Sequence, residues 1–195
     1  MENSTENLIV IKHATIGDIP QILRIQDDQL LENKNKKLEK EQLEKQGFLV
    51  NKIDEATLSK TIKNPGQEFL LVAKNNSGEI QGYILGYDFK YFLANHPEWE
   101  KQTGINLQSF PEDKIVYGKH STSSKPNQGV GTKLEKAFYQ EAKQNGYTLL
   151  ITEICEGPIS NNRSKEFHTK NFGLEKIKNY TDKNNFDWGV YKHLL

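Results

Sequence analysis

Apolar and polar positions along the chain alternate in blocks that predict an α/β (α+β) protein. Helical spacing is clear where Ile19, Ile22 and Leu23 fall three or four residues apart, whereas short apolar runs bounded by Gly, Pro or Asn favour strands. The predicted helices are residues 19–31, 54–62, 132–142 and 162–168, and the predicted strands are residues 8–11, 69–73, 80–87, 115–118, 147–155 and 186–191. Between the second and third strands, Lys74–Glu79 has turn-forming residues and predicts a hairpin.

Two segments show neither the helical spacing nor the short apolar runs that favour strands. Residues 32–46 are almost all charged or amide, with only Leu38 and Leu43 as apolar anchors, so we expect a solvated helix or a mobile arm. Residues 90–111 are aromatic without regular spacing, which is too apolar for a disordered linker. This second segment is therefore expected to line a pocket.

The most informative segment is a pair of glycines, Gly129 and Gly131, placed between a predicted strand and a predicted helix. Glycines at the start of a helix leave backbone N–H groups accessible, which is where phosphate groups bind. The helix is followed by Tyr147–Cys155, an apolar run suited to a buried central strand, so the order is that of a βαβ unit. From these residues alone, both an ordinary tight turn and a phosphate site remain open.

Titratable residues after this helix are candidates for proton transfer. His168 can exchange a proton near neutral pH, although a histidine with a purely structural hydrogen bond would look the same. Glu153 is a carboxylate inside an apolar strand and Glu156 follows it, so either is a candidate general base or a salt-bridged side chain. Cys155 is expected to be an inert core residue.

Composition restricts the class of protein further. The 195 residues contain 26 basic and 26 acidic side chains, so no net charge favours nucleic acid or an anionic membrane. A single cysteine excludes an internal disulfide, and no metal-ligand cluster is visible, so we expect no metal. Met1–Asn7 is polar and no long apolar run follows, which predicts a cytoplasmic protein.

Taken in order, these features resemble the GNAT superfamily of N-acyltransferases, which transfer an acetyl group from acetyl-CoA to an amine. The resemblance rests on the Ile11–Pro20 opening, the central hairpin, the glycine turn with its helix, and the segment from Asn161 to His168. Gly129 and Gly131 match the last two positions of the family's pyrophosphate motif. The first position falls on Pro126 instead of Gln or Arg, with Gln128 two residues later.

The resemblance implies one domain over residues 1–195, with a mixed, mostly antiparallel sheet, helices on both faces, and a CoA cleft where two central strands splay apart. It also implies acetyl-CoA as the cosubstrate and a primary amine of a small molecule or peptide as the acceptor. A homodimer is compatible with it. The residues it assigns to the cosubstrate are His120, Ser121, Gln128, Gly129, Val130, Gly131, Thr132, Asn161 and Ser164.

For catalysis, the resemblance assigns proton donation to the leaving thiolate to His168, which replaces the family's tyrosine seven residues after Asn161. Glu153 is not assigned by the resemblance; its place in an apolar strand makes it the candidate general base for the acceptor ammonium. Two other functions remain open because of the changes at Pro126 and His168. One is a non-catalytic acyl-CoA-binding or sensing module, and the other is a nucleotide-binding α/β protein whose glycines hold a different phosphate.

Overall fold

The computed structural model of the chain describes residues 8–64, 66–106, 110, 114–125 and 128–195. Across these ranges the backbone forms one seven-stranded sheet. The strands are β1 (Val10–His13), β2 (Glu68–Lys74), β3 (Ile80–Asp88), β4 (Ile115–Ser123), β5 (Leu149–Gly157), β6 (Glu175–Thr181) and β7 (Asp187–Leu194). Their order is β1-β2-β3-β4-β5-β7-β6, and neighbours are antiparallel except for the parallel pair β4 and β5.

Helices connect the strands on both faces of the sheet. They are α1 (Ile19–Gln29), α2 (Leu31–Lys34), α3 (Lys40–Gln46), α4 (Glu55–Lys63), α5 (Phe89–Asn95), α6 (Trp99–Thr103), α7 (Val130–Gln144) and α8 (Asn162–Phe172). Local sequence explains several boundaries: Pro20 lies in the first turn of α1, and Asp54 caps α4 by accepting from the N–H of Thr57 at 2.7 Å. Gly173 ends α8 in a left-handed conformation.

The sheet separates two apolar cores, one on each face. Side chains of α1, α4, α5 and α6 pack on the first face against strand residues such as Tyr83, Tyr117 and Ile151. The amphipathic helix α7 packs on the opposite face, where Leu134 and Phe138 are fully buried. The predicted fold class, a mixed and mostly antiparallel sheet with helices on both faces, is confirmed.

The charged segment at residues 32–46 is anchored to the protein rather than free. Leu43 is fully buried with Phe48 and Cys155, and Lys34 donates from Nζ to the carbonyl oxygen of Gly47 at 2.6 Å. A long lysine side chain can cover apolar surface in this way while its ammonium keeps a partner. The helical alternative for this segment is therefore correct, and the segment forms one wall beside the end of β5.

The aromatic segment also has regular structure, because α5 and α6 occupy it. Phe92 and Trp99 are almost fully buried, and Phe92 stacks on Tyr117 with ring centroids 3.9 Å apart.

In the described part of the chain, no helix is both long and apolar enough to span a membrane.

Candidate active site

A cleft opens where the two parallel strands separate. Pairing of β4 with β5 runs from Ile115 opposite Leu149 to Gly118 opposite Thr152 and stops there, although both strands continue. The resulting cavity has a volume of about 860 Å³, and the site residues expected from the sequence line it, with the exception of the alternative base Glu156. Of the residues used for the family resemblance, Pro126 lies outside the described residues. The cleft therefore joins the two faces of the sheet through one gap.

On the α7 side, the glycine turn supplies main-chain donors to the cleft. Gly129 precedes the helix with φ of +71°, a conformation that disfavours other residues even though a Cβ there would meet nothing within 4 Å. The first N–H groups of a helix have no partner within it, so those of Val130, Gly131 and Thr132 can bind an anion. The side chain of Val130 is itself buried in the core.

His120 and Ser121 lie on the stretch of β4 that no longer pairs with β5. The imidazole of His120 points into the core, where Nδ1 lies 3.3 Å from the hydroxyl of Tyr83. Burial, with a smaller effect of the Lys119 charge, lowers the pKa of His120 to about 3, so the ring is neutral. A cosubstrate in the cleft would therefore meet His120 as a neutral ring, without a charge to offer.

Asn161 caps α8, as its position before the predicted helix suggests, and it also makes a long-range hydrogen bond that the sequence did not reveal. Its Oδ1 accepts from the N–H of Ser164 at 3.1 Å and caps α8, while its Nδ2 donates to the carbonyl oxygen of Phe48 at 2.8 Å. The amide thus ties the start of α8 to the end of the charged segment. Ser164 is half-buried beside it and lines the cleft.

Glu153 lies on the opposite face of the sheet among aromatic side chains. Its Oε1 accepts from the Tyr180 hydroxyl at 2.6 Å and from Trp99 Nε1 at 3.0 Å, and its Oε2 accepts from the Tyr117 hydroxyl. Burial and the nearby carboxylate raise the pKa of both tyrosines, so they remain donors. A carboxylate offers about four acceptor positions, and three are filled here.

Lys119 brings a cation to the same face. Leu85 pairs with His120 and Gly86 pairs with Gly118, so Lys119 is the extra residue of a β-bulge. Its side chain lines the cleft, where burial lowers the pKa of the amine and the charge of Glu153 opposes that effect. This side of the cleft therefore holds a carboxylate that accepts from three donors and an amine that loses its proton more readily than a surface lysine.

His168 lies on the α7 side, next to a residue that sequence analysis did not consider. Its Nε2 is 3.8 Å from Oε1 of Glu135, and both side chains are almost fully buried. Burial lowers the pKa of His168 to about 4 and raises that of Glu135 to about 7, while a hydrogen bond with Ser121 opposes the shift at Glu135. Near neutral pH the imidazole is uncharged, so this contact is not an ion pair.

Glu156, the alternative base, is engaged elsewhere. It accepts from the Tyr191 hydroxyl at 2.5 Å and pairs with Lys176 Nζ at 2.6 Å, and it does not line the cleft. The salt-bridged interpretation is the correct one for this residue. Cys155 is buried as expected, and burial raises the pKa of its thiol to about 11.

Sequence reasoning missed several residues that shape the site. They are Tyr117, Lys119, Glu135 and Tyr180, whereas Trp99 belongs to the aromatic segment 90–111 that the sequence predicts to line a pocket. Only Glu135 left a signal, since a carboxylate between Leu134 and Phe138 falls on the apolar face of α7. Within the described ranges, no group of three or more His, Cys, Asp or Glu side chains is arranged to hold a metal ion.

Of the comparisons with known proteins, the one with solved structures finds similar proteins. No family model and no curated protein matches the chain. Among solved structures, Ard1 from Thermoplasma volcanium superposes with a TM-score of 0.66 at 12% identity, covering 96% of this chain and 97% of that one. The yncA protein of Salmonella typhimurium, described with its cofactor acetyl-CoA, gives 0.64 at 16% identity, covering 97% and 95%.

A third neighbour, the PaiA N-acetyltransferase from Thermoplasma acidophilum in complex with coenzyme A, gives a TM-score of 0.64 at 12% identity, covering 96% of this chain and 99% of that one. In each case the superposition covers nearly the whole of both chains, so the similarity concerns the fold as a whole. The chain therefore has the GNAT acetyltransferase fold.

Proposed function

We propose that the protein is an N-acetyltransferase that uses acetyl-CoA and acetylates a primary amine of a small molecule or peptide. The observation that carries this proposal is the cleft at the separation of β4 and β5, with a glycine-started helix on one face and a polar aromatic chamber on the other. Neighbours described with acetyl-CoA or coenzyme A bound lend further support.

The residues fit such a cosubstrate by their chemistry. N–H groups at the start of α7 suit a pyrophosphate, because they combine free donors with the positive end of the helix dipole. Beyond Gly118, the side of β4 that faces the cleft has main-chain groups without a strand partner, which suits the amides of a pantetheine arm. When bound, acetyl-CoA supplies a thioester carbonyl as the acyl donor.

On the other face, the chamber around Glu153 suits an incoming amine. The carboxylate attracts an ammonium group, and the rings of Trp99, Tyr117 and Tyr180 can enclose it. With only one acceptor position open, Glu153 is better suited to bind and orient this ammonium than to remove its proton alone. Deprotonation then runs through water in the open cleft, and the free amine attacks the carbonyl.

The test is binding of CoA by calorimetry, followed by release of free thiol from acetyl-CoA with a panel of amines. Gly129→Glu should weaken CoA binding by about 100-fold, because a non-glycine residue is strained there by about 1–2 kcal/mol and its carboxylate repels the pyrophosphate. Gly78→Glu is a matched control, since Gly78 has φ of +81°, open space around it and a place in the β2–β3 turn. Equal affinity for CoA in the two variants would contradict the phosphate site.

The second candidate is an acyl-CoA-binding module without transferase activity. It is favoured by the three donors that already occupy Glu153 and by the buried, uncharged His168 at the position where the GNAT superfamily has its proton donor. Binding of CoA with no thiol release on any amine would support this module. If ATP or NAD raises the melting temperature and CoA does not, a nucleotide-binding protein is the better description.

A further inference from the structure

Three polar side chains meet on the α7 face of the cleft, from three different elements. Ser121 comes from β4, Glu135 from α7 and His168 from α8, and each lines the cavity. Ser121 is hydrogen-bonded to Glu135, whose carboxylate lies 3.8 Å from the ring of His168. Such a cluster on an otherwise apolar helix face is expensive to bury, so a functional explanation is needed.

The hydrogen bonding of this cluster is incomplete. Glu135 is 2% exposed, and Ser121 is the hydrogen-bond partner that stabilises its charge. Among the described residues, Nδ1 of His168 is buried and has no hydrogen-bond partner. Buried polar groups are normally paired, so an unpartnered ring nitrogen in a residue that lines the cleft points to a partner that arrives with a ligand, and the ring must turn toward the cleft to make that contact.

We propose that Glu135 holds the proton that neutralises the thiolate leaving group, and that His168 passes this proton on. This inference rests on the proposed acetyl transfer. Glu135 acts through another side chain, so it is a positioning and proton-supplying residue, whereas His168 is the group that meets the cosubstrate. The proposal accounts for a carboxylate and an imidazole buried together without forming an ion pair.

The proton balance is as follows. When the amine attacks, the carbon–sulfur bond breaks and its electron pair stays on sulfur. His168 gives its Nδ1 proton to the sulfur and takes the Glu135 proton at Nε2, so the ring stays neutral and Glu135 becomes a carboxylate. The proton released by the new amide nitrogen returns through water to Nδ1 of His168, and Nε2 gives its proton back to Glu135, so both side chains regain their starting states. The distance of 3.8 Å between Nε2 of His168 and Oε1 of Glu135 must shorten for this transfer, as catalytic hydrogen bonds often do once substrate binds.

The groups that face Glu135 make it a suitable proton store. From β4 it meets the neutral Ser121 hydroxyl, from α8 the uncharged His168 ring, and on its own helix the nearby Tyr139, which burial keeps as a neutral phenol. Burial raises the pKa of Glu135 to about 7, close to the working range of a thiol with an ordinary pKa of about 8.5. No cation among these neighbours forces the carboxyl group to ionise.

The kinetic experiment compares Glu135→Gln with the wild type, using the amine that gives the fastest thiol release. We expect kcat to fall by about 100-fold, the lower range for general acid catalysis, with the KM for acetyl-CoA within about threefold. The wild-type kcat should decline above pH 7 as Glu135 loses its proton, and this decline should be absent from the variant. Glu141→Gln is the control, because Glu141 is also on α7 and its Oε1 lies 3.3 Å from Nε2 of a histidine, His13 of β1.

A second readout does not depend on activity. Nitrogen NMR of histidine-labelled protein, with His168→Asn to identify the signals, should show the ring nitrogens of His168 responding to a titration near pH 7 that is lost in Glu135→Gln. Addition of CoA should shift the same signals. If Glu135→Gln lowers folding yield, Ser121→Ala replaces it: loss of the hydrogen bond should raise the pKa of Glu135 and move the kinetic decline to higher pH.

The outcomes separate this inference from the proposed function. Wild-type kcat and an unchanged pH profile in Glu135→Gln would overturn the proton store and leave acetyl transfer intact. If no amine is acetylated, the proposed function fails and NMR decides the remaining question. Ring signals that ignore both CoA and the state of Glu135 would then overturn the inference as well, and a coupled response would support it.

Discussion

Two glutamates, the half-buried Glu153 and the buried Glu135, occupy opposite faces of the same cleft and differ in almost every interaction. Glu153 accepts from three donors and has a lysine nearby, whereas Glu135 has one hydroxyl and a neutral imidazole. The first environment stabilises a charge and the second disfavours one. One cleft can therefore attract an ammonium on one side and store a proton on the other.

The largest difference between the two sites is expected when each glutamate is replaced by leucine and the free energies of unfolding are compared. Glu153→Leu should lower the free energy of unfolding by about 4 kcal/mol, because each buried donor left without an acceptor costs about 1–3 kcal/mol and water in the cleft compensates part of it. Glu135→Leu at pH 8 should leave the free energy of unfolding unchanged or raise it. Urea unfolding measures both, and equal losses would show that the two sites do not differ.

The dependence of the free energy of unfolding on pH tests the proton on Glu135 separately. Its pKa in the folded protein, about 7, is above the ordinary value of 4.5, so the folded state keeps a proton that the unfolded state releases. The stability that this proton contributes is present below pH 4.5 and is lost as pH rises to 7. The free energy of unfolding of the wild type minus that of Glu135→Gln should fall by about 3 kcal/mol across this range, at 1.36 kcal/mol per pKa unit.

The control for this titration is Glu166→Gln on the exposed side of α8. Its difference from the wild type should be nearly constant over the same range of pH. A flat difference for Glu135→Gln would mean that burial does not hold a proton on Glu135.

For His168, the contribution to the free energy of unfolding should change with pH in the opposite direction. Burial lowers its pKa from 6.5 to about 4, so its contribution to stability is present above pH 6.5 and is lost as pH falls to 4. The free energy of unfolding of the wild type minus that of His168→Asn should rise by about 3 kcal/mol from pH 4 to 6.5. In the wild type the two slopes offset each other, since the proton only moves from His168 to Glu135 on folding. If the differences from the wild type changed with pH in the same direction for His168→Asn and Glu135→Gln, this assignment of the protons would be refuted.

The smallest effect comes from one donor to Glu153. Trp99→Phe keeps the aromatic packing on Phe89 and Phe92 but removes the 3.0 Å hydrogen bond. Loss of one hydrogen bond to a charged group should cost about 1.5 kcal/mol. Urea unfolding with no change for this variant would indicate that two tyrosines already satisfy the carboxylate.

The same comparison shows what sequence can predict. Gly129, the hairpin turn and the start of α8 were accessible because each depends on residues a few positions apart, whose conformational preferences are local. The three donors to Glu153 lie 27, 36 and 54 residues from it along the chain. His168 was singled out through its spacing from Asn161, but its neighbour Glu135 depends on how α7 and α8 pack on one sheet. No local pattern encodes that contact.

The separation of β4 from β5 also gives the sheet an edge inside the protein. Past Gly118, β4 is bonded to β3 on one side only, up to Ser123, and its other side faces the cleft. Such an edge normally lies at the border of a sheet, where it recruits another chain. Here the α7–α8 and α1–α3 segments enclose it, so the piece that completes the sheet must be slender and extended. Protection of these β4 amides against hydrogen exchange should then depend on whether such a molecule is bound.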